Sequence, residues 1–125
     1  MKSKAKTYTR NDVNVYKDSG SWGQFEQYCH KEPCTVKLIN IKAGKELSLQ
    51  YHENRSEFWK IISGDPILVI GDMIIEGQKD DEFFIPTLTE HQIITQGKPA
   101  TILEIAYGVF EEADTERSIK ESTSV

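Results

Sequence analysis

The chain has 125 residues, with 15 Lys and Arg against 20 Asp and Glu, three histidines and two cysteines. That length supports one domain burying roughly two-thirds of its unfolded surface, and two cysteines build no disulfide framework, which fits a reducing, cytoplasmic setting. A net charge of −5 repels phosphate backbones, so no nucleic-acid partner is expected; no apolar run approaches the ~20 residues of a membrane span, so no membrane is expected, and the basic start leads into no apolar stretch of the kind a signal peptide carries.

Residues 1–15 read as a loose basic arm carrying Lys2, Lys4, Lys6 and Arg10. Residues 16–112 read as a single domain of short strands. Trp22–Tyr28 alternates bulky and polar residues. Cys29 to Cys34 reads as a tight hairpin marked by Pro33 and not as a metal site, because a structural zinc needs four ligands and no fourth is evident. Thr35–Lys42 alternates well, with Val36, Leu38 and Asn40 on one face and Lys37, Ile39 and Ile41 on the other. Further strands are expected at Leu47–His52, Glu57–Ser63, Pro66–Ile70, Met73–Glu76, Glu82–Pro86, His91–Gln96 and Ala100–Phe110, set apart by breakers such as Ala43-Gly44, Gly71-Asp72 and Gly97-Lys98-Pro99. Strands recurring at about ten residues indicate an all-β sandwich or closed barrel. Residues 113–125 form a polar tail, expected to hold a short helix before it frays. Between residues 11 and 110 there are 9 bases against 15 acids, and one arginine, Arg55.

The most informative stretch runs from Gly44 to Gly64. Residues two apart on a strand share a face, so Gln50 and His52 point the same way. After a short turn Glu57 opens the next strand, with Trp59 and Ile61 on its side. A second segment, Glu82 to His91, ends one strand at Pro86 and starts another at His91. One carboxamide, two imidazoles and one carboxylate can then converge on a single divalent ion, and the donor mix suits zinc, manganese, cobalt, nickel or iron. Phe58 and Lys60 face away from that site, and an outward Phe58 suggests packing against a second copy, hence a homodimer.

With Gln50-x-His52, Glu57 and Gly64 in the first motif, and Pro86 and His91 in the second, the chain resembles the cupin superfamily. Leu47-Ser48-Leu49-Gln50-Tyr51-His52 through Arg55-x-Glu57-x-Trp59 is similar to the C-terminal cupin module of type II mannose-6-phosphate isomerases, in which the module usually follows a GDP-mannose pyrophosphorylase domain. Trp22-Gly23, Lys37, Asp114 and Arg117 match more weakly. The chain departs from the pattern at Gly20-Ser21, where the family has Arg-Pro, and at Leu88, where the second motif has glycine.

The resemblance implies a cupin double-stranded β-helix, or jelly-roll barrel, that binds one divalent metal ion through Gln50, His52, Glu57 and His91. It implies a metal-dependent sugar-phosphate isomerase that interconverts mannose 6-phosphate and fructose 6-phosphate. Such chemistry moves a proton between adjacent carbons and needs a base, a Lewis acid and a cation for the phosphate. Arg55 suits the phosphate or sugar oxygens, since its planar fork fits oxyanions. Lys37 is a candidate proton-transfer group, with Glu46 and Glu53 as other bases, and Trp59 and Arg117 complete the substrate contacts. Two other readings stand beside this one. The first is a non-catalytic module for a sugar or nucleotide sugar; the second is a cupin acting on another small metabolite.

Overall fold

Alternation at period two gives each strand two faces, and in this chain the apolar faces of two sheets close on each other. The structure, a computed structural model, describes residues 15–108 and the backbone of 115–117. Among the described residues there are eleven strands and no helix: β1 (Tyr16–Gly20), β2 (Gly23–Gln27), β3 (Cys34–Ile41), β4 (Gln50–His52), β5 (Ser56–Ser63), β6 (Ile67–Ile70), β7 (Met73–Glu76), β8 (Glu82–Ile85), β9 (His91–Ile94), β10 (Ala100–Tyr107) and β11 (Thr115–Arg117). No helix of the described residues is long and apolar enough to cross a membrane.

β1 and β2 pair as a hairpin, β3-β10-β5-β8 form a four-stranded sheet, and β11-β4-β9-β6-β7 form a five-stranded one. From β3 onward the chain crosses repeatedly between the two larger sheets. That antiparallel crossing pattern is the jelly roll that the family resemblance implies, and it falls within the sandwich or barrel expected from the strand spacing. The core between the sheets is built from Ile41, Trp59, Ile61, Leu68, Ile70, Ile85, Ile93, Ala100 and Ile102, all buried. In β3 the alternation reads as expected: Ile39 and Ile41 meet this core, and Val36 and Leu38 face outward and are exposed. The pairing of β10 with β5 shifts register between Thr101 and Ile102, where Thr101 faces Ser63 and Ile102 faces Ile61, so Ile62 bulges out of the ladder.

Several expectations need correction. β1 was not anticipated. Thr115–Arg117, within the tail expected to form a short helix, is instead strand β11 and pairs with β4. Cys29 to Cys34 is not a hairpin: among the described residues β2 pairs with β1 alone, and β3 pairs with β10, so this segment crosses from one sheet to another. Phe58 does face away from Glu57, but it is buried, and the ring of Tyr28 from the chain's own β2–β3 segment covers it at 5.1 Å. The basic arm lies outside the described residues except for Val15, which packs against the Phe58, Ile105 and Tyr107 cluster.

Two motif positions have backbone reasons. Gly64 has φ 92, and a Cβ there would come within 2.5 Å of the Pro99 carbonyl oxygen, so the turn after β5 takes no side chain. Leu88 stands where the resembling family has glycine, and it keeps the left-handed conformation with φ 64. Its N–H donates to the His52 carbonyl at 2.7 Å, tying this turn to β4. A left-handed L-residue costs roughly 1–2 kcal/mol, and the Leu88 side chain, largely exposed, recovers little of it. Leu88→Gly is expected to stabilise the protein by about 0.5–1 kcal/mol in urea denaturation, after the extra chain entropy of glycine is subtracted. An unchanged or lower midpoint would show that the leucine is not strained there.

Candidate metal centre

The centre is organised around Glu57, the second residue of β5. The inward side of that strand carries Glu57, Trp59 and Ile61, all buried. β4 ends at His52, the turn that follows brings Arg55 back toward the start of β5, and β9 opens on His91. His52 Nε2 lies 3.1 Å from Glu57 Oε2, and His91 Nε2 lies 3.3 Å from Glu57 Oε1. The ligand atoms of these three residues all fall within 4.8 Å of one another and could hold a metal ion. Gln50 faces His91 across the β4–β9 ladder. Its Nε2 donates to Ser48 Oγ at 3.2 Å and to the Ser48 carbonyl at 3.4 Å, so the amide oxygen is the atom Gln50 could offer a metal. All four residues expected from the sequence to be ligands therefore line one cavity.

The electrostatics suit a cation. Burial works to raise the Glu57 carboxyl, but the His52 hydrogen bond and the fields of His91, His52 and Arg55 prevail and hold it at about 2. Burial pushes the His91 imidazolium down toward the neutral ring, against the opposing pull of Glu57. An ionised carboxylate and a neutral imidazole are the protonation states a metal requires of its ligands. The ring of His91 is oriented from behind: with Nδ1 donating to the Thr89 carbonyl at 2.8 Å, Nε2 is left to face the site. Trp59 packs edge-on against the same ring, 5.5 Å away.

Arg55 is buried and turned onto Glu57 and His52. Its Nε donates to Glu57 Oε2 at 3.1 Å, and its Nη2 lies 3.1 Å from His52 Nε2. Lys37 lies on the rim of the cavity and is exposed, on the same face of β3 as Ile39. Trp59 lines the wall. Glu46 and Glu53 are not among the lining residues. β11 places the backbone of Arg117 in register with Gln50.

The cavity, about 600 Å³, opens between the two sheets. It holds one acid that the sequence reading passed over. Glu104 lies on β10, in register with Lys37 on one side and Trp59 on the other. It is buried and accepts a hydrogen bond from Trp59 Nε1 at 3.0 Å. Burial first, and then the charge of Glu57, raise its carboxyl to about 8, against the pull of the Trp59 hydrogen bond and Lys37. The signal was present in the sequence: in Ile102-Leu103-Glu104-Ile105-Ala106 a charged residue takes the same face as a core isoleucine.

A family model described as mannose-6-phosphate isomerase C-terminal matches residues 4–120. An alginate biosynthesis protein of Pseudomonas putida is 29% identical over 119 residues, covering 94% of this chain and 24% of that protein. A mannose-1-phosphate guanylyltransferase of Escherichia coli is 30% identical over 95 residues, covering 74% of this chain and 20% of that one. The chain thus spans about a quarter of the length of these relatives. Among solved structures, a cupin 2 conserved barrel domain protein from Rhodopseudomonas palustris superposes with a TM-score of 0.64 at 17% identity, covering 96% of this chain and 75% of that one, which supports the cupin barrel.

The raised Glu104 carboxyl has a consequence for stability. In the unfolded chain it ionises near 4.5, and in the fold only near 8, so between those values the native state holds a proton that the unfolded state has lost. Stability falls as pH rises through that window. The Glu104→Gln variant removes this term and keeps an acceptor for Trp59. Its melting temperature is expected to gain on the wild type progressively from pH 4.5 to 8. Parallel curves across the window would mean that Glu104 is ionised in the fold.

Proposed function

Because the chain belongs to the mannose-6-phosphate isomerase C-terminal family, we propose that it is a metal-dependent sugar-phosphate isomerase interconverting mannose 6-phosphate and fructose 6-phosphate. The observation that carries this reading is the convergence of Gln50, His52 and His91 from one sheet and Glu57 from the other around a single cavity that also holds a second buried carboxyl, Glu104. Those four residues hold the ion. A divalent ion bound there supplies Lewis acidity to the carbonyl and neighbouring hydroxyl of the sugar.

The remaining groups have separable tasks. Aldose–ketose isomerisation takes a proton from one carbon and returns it to the next, and one carboxyl can do both. Glu104 is the group for that task, because burial and Glu57 raise its carboxyl to about 8, close enough to neutral pH for it to give up and take back a proton. Lys37, its cross-strand partner, biases Glu104 toward the ionised form and meets the phosphate at the rim. Arg55 holds Glu57 and His52 in place, and Trp59 keeps Glu104 and the His91 ring in fixed positions. A cytoplasmic setting fits the substrate and the two free thiols.

A specific observation favours a second reading. The Arg55 guanidinium is buried and engaged with Glu57 and His52, and Lys37 is the other Lys or Arg side chain among the described lining residues. A binding module for an uncharged sugar needs no more than that, whereas the diphosphate of a nucleotide sugar would call for further cations. Protein loaded in turn with zinc, manganese, cobalt, nickel and iron separates the two. Turnover of mannose 6-phosphate is expected with at least one ion, with Glu104→Gln about 100-fold slower at unchanged metal content and His52→Ala losing the metal itself. Sugar-induced thermal stabilisation without turnover under every ion would move the assignment to the binding module. Metal retained in full by His52→Ala would overturn the site.

The homodimer is proposed on a different surface from the one first expected. Val36 and Leu38, 59% and 63% exposed, present apolar side chains on β3, at the end of its sheet. Light scattering is expected to give twice the chain mass at micromolar concentration, with Leu38→Lys shifting it to one chain. A wild-type reading of a single chain would remove the proposal.

A further inference from the structure

The segment from β2 to β3 brings the chain's two cysteines together. Cys29 Sγ and Cys34 Sγ are 2.8 Å apart, one thiol donating to the other, and Cys29 Sγ also donates to the Glu32 carbonyl at 3.4 Å. Between them lie His30, Lys31, Glu32 and Pro33, and Lys31 adopts a left-handed conformation with φ 56 that folds the loop back on itself. Both flanks are held in place. Tyr107 Oη donates to the Tyr28 carbonyl at 2.7 Å, and the Gly108 N–H donates to the Pro33 carbonyl at 3.0 Å. Cys29 and Cys34 pack against Phe58, Ile105 and Tyr107, and both residues are half-buried.

We propose that Cys29 and Cys34 form a disulfide site, a reversible clip across the β2–β3 crossover that a peroxide closes and a dithiol reopens. A disulfide bond is about 2.05 Å long, so the sulfurs need to move by less than an ångström, within a loop already anchored at both flanks. The step balances. One thiol gives up its proton and its sulfur attacks a peroxide oxygen; the O–O bond breaks, leaving a sulfenic acid and releasing water. The second thiol attacks that sulfur, the S–S bond forms, and a second water leaves. The two sulfurs lose two electrons and the peroxide gains them. Burial and the hydrogen bond to Cys34 push the Cys29 thiol up to about 12, so closure is slow at neutral pH and accelerates as pH rises. The clip fixes the start of β3, the strand that carries Lys37 and Ile39 along the cavity wall.

The test is independent of any bound metal or substrate. The protein is treated with hydrogen peroxide at pH 7 and pH 9, then followed by intact mass, thiol titration and thermal denaturation before and after dithiothreitol. The expected result is a loss of two hydrogens with both thiols disappearing together, faster at pH 9. The melting temperature should rise by about 5 °C and return on reduction. Cys29→Ser and Cys34→Ser should each abolish the loss of two hydrogens, with Cys29→Ala and Cys34→Ala as replacements if a serine variant fails to fold. Oxygen added to either thiol without loss of two hydrogens, disulfides formed only between chains, or an unchanged melting temperature would each overturn the clip.

Discussion

A carboxylate taken out of water must be met by positive charge or hydrogen bonds, or it will not stay ionised. Glu57 places that demand at the centre of this fold. It is 1% exposed, and the elements around it are placed to answer it. β4 ends on His52 and β9 begins on His91. The turn between β4 and β5 returns Arg55 to within 3.1 Å of the carboxylate. None of these is adjacent to Glu57 in sequence, and His91 arrives from the opposite sheet. The site therefore exists only once both sheets have closed, and its three cationic or polarisable partners hold together the end of the sandwich where the isoleucine core gives way to polar groups.

The cavity has two chemically distinct walls. The five-stranded sheet contributes Gln50, His52 and His91, and the four-stranded sheet contributes Glu57, Trp59, Glu104 and Lys37. Glu57 and Glu104 sit on neighbouring strands, yet their environments drive them in opposite directions. Glu57 is held ionised by His52, His91 and Arg55, and Glu104 is held protonated by burial and by Glu57 itself. Two carboxyls pushed apart in this way are suited to different work, one as a fixed anion and the other as a group that exchanges its proton.

Much of this was legible in the sequence because strand alternation is a strict code. Gln50-x-His52, Glu57-x-Trp59 and Lys37-x-Ile39 each set two side chains on one face, and the structure shows them there. What escaped reading depended on non-local facts. Glu104 sits in an apolar strand with no motif around it, and only the register with Lys37 and Trp59 reveals what it touches. Arg55 reads as a free oxyanion-binding fork until the turn after β4 is seen folding it onto Glu57. Phe58 reads as an exposed outward residue, since nothing in β5 announces that Tyr28 returns to cover it. β1 was missed because Tyr16 to Gly20 is polar and exposed along its length, and among the described residues it pairs with β2 alone.

The bulge at Ile62 gives the site a protected reading frame. Side chains alternate across a sheet, so one residue gained or lost between Glu57 and the edge of the ladder would swing every later position to the other face. Here the surplus residue is expelled at Ile62, beyond Trp59 and Ile61, and Ile62 turns partly to solvent, 37% exposed. From Ser56 to Ile61 the strand stays in phase with β10, and the mismatch with the Ser63 end is confined to one position. Changes in length past the bulge, toward the Gly64 turn, leave Glu57 and Glu104 opposite their partners. Changes on the near side would turn the carboxylate outward and dismantle the cavity, so this strand can absorb a change in length only at the far end of the barrel.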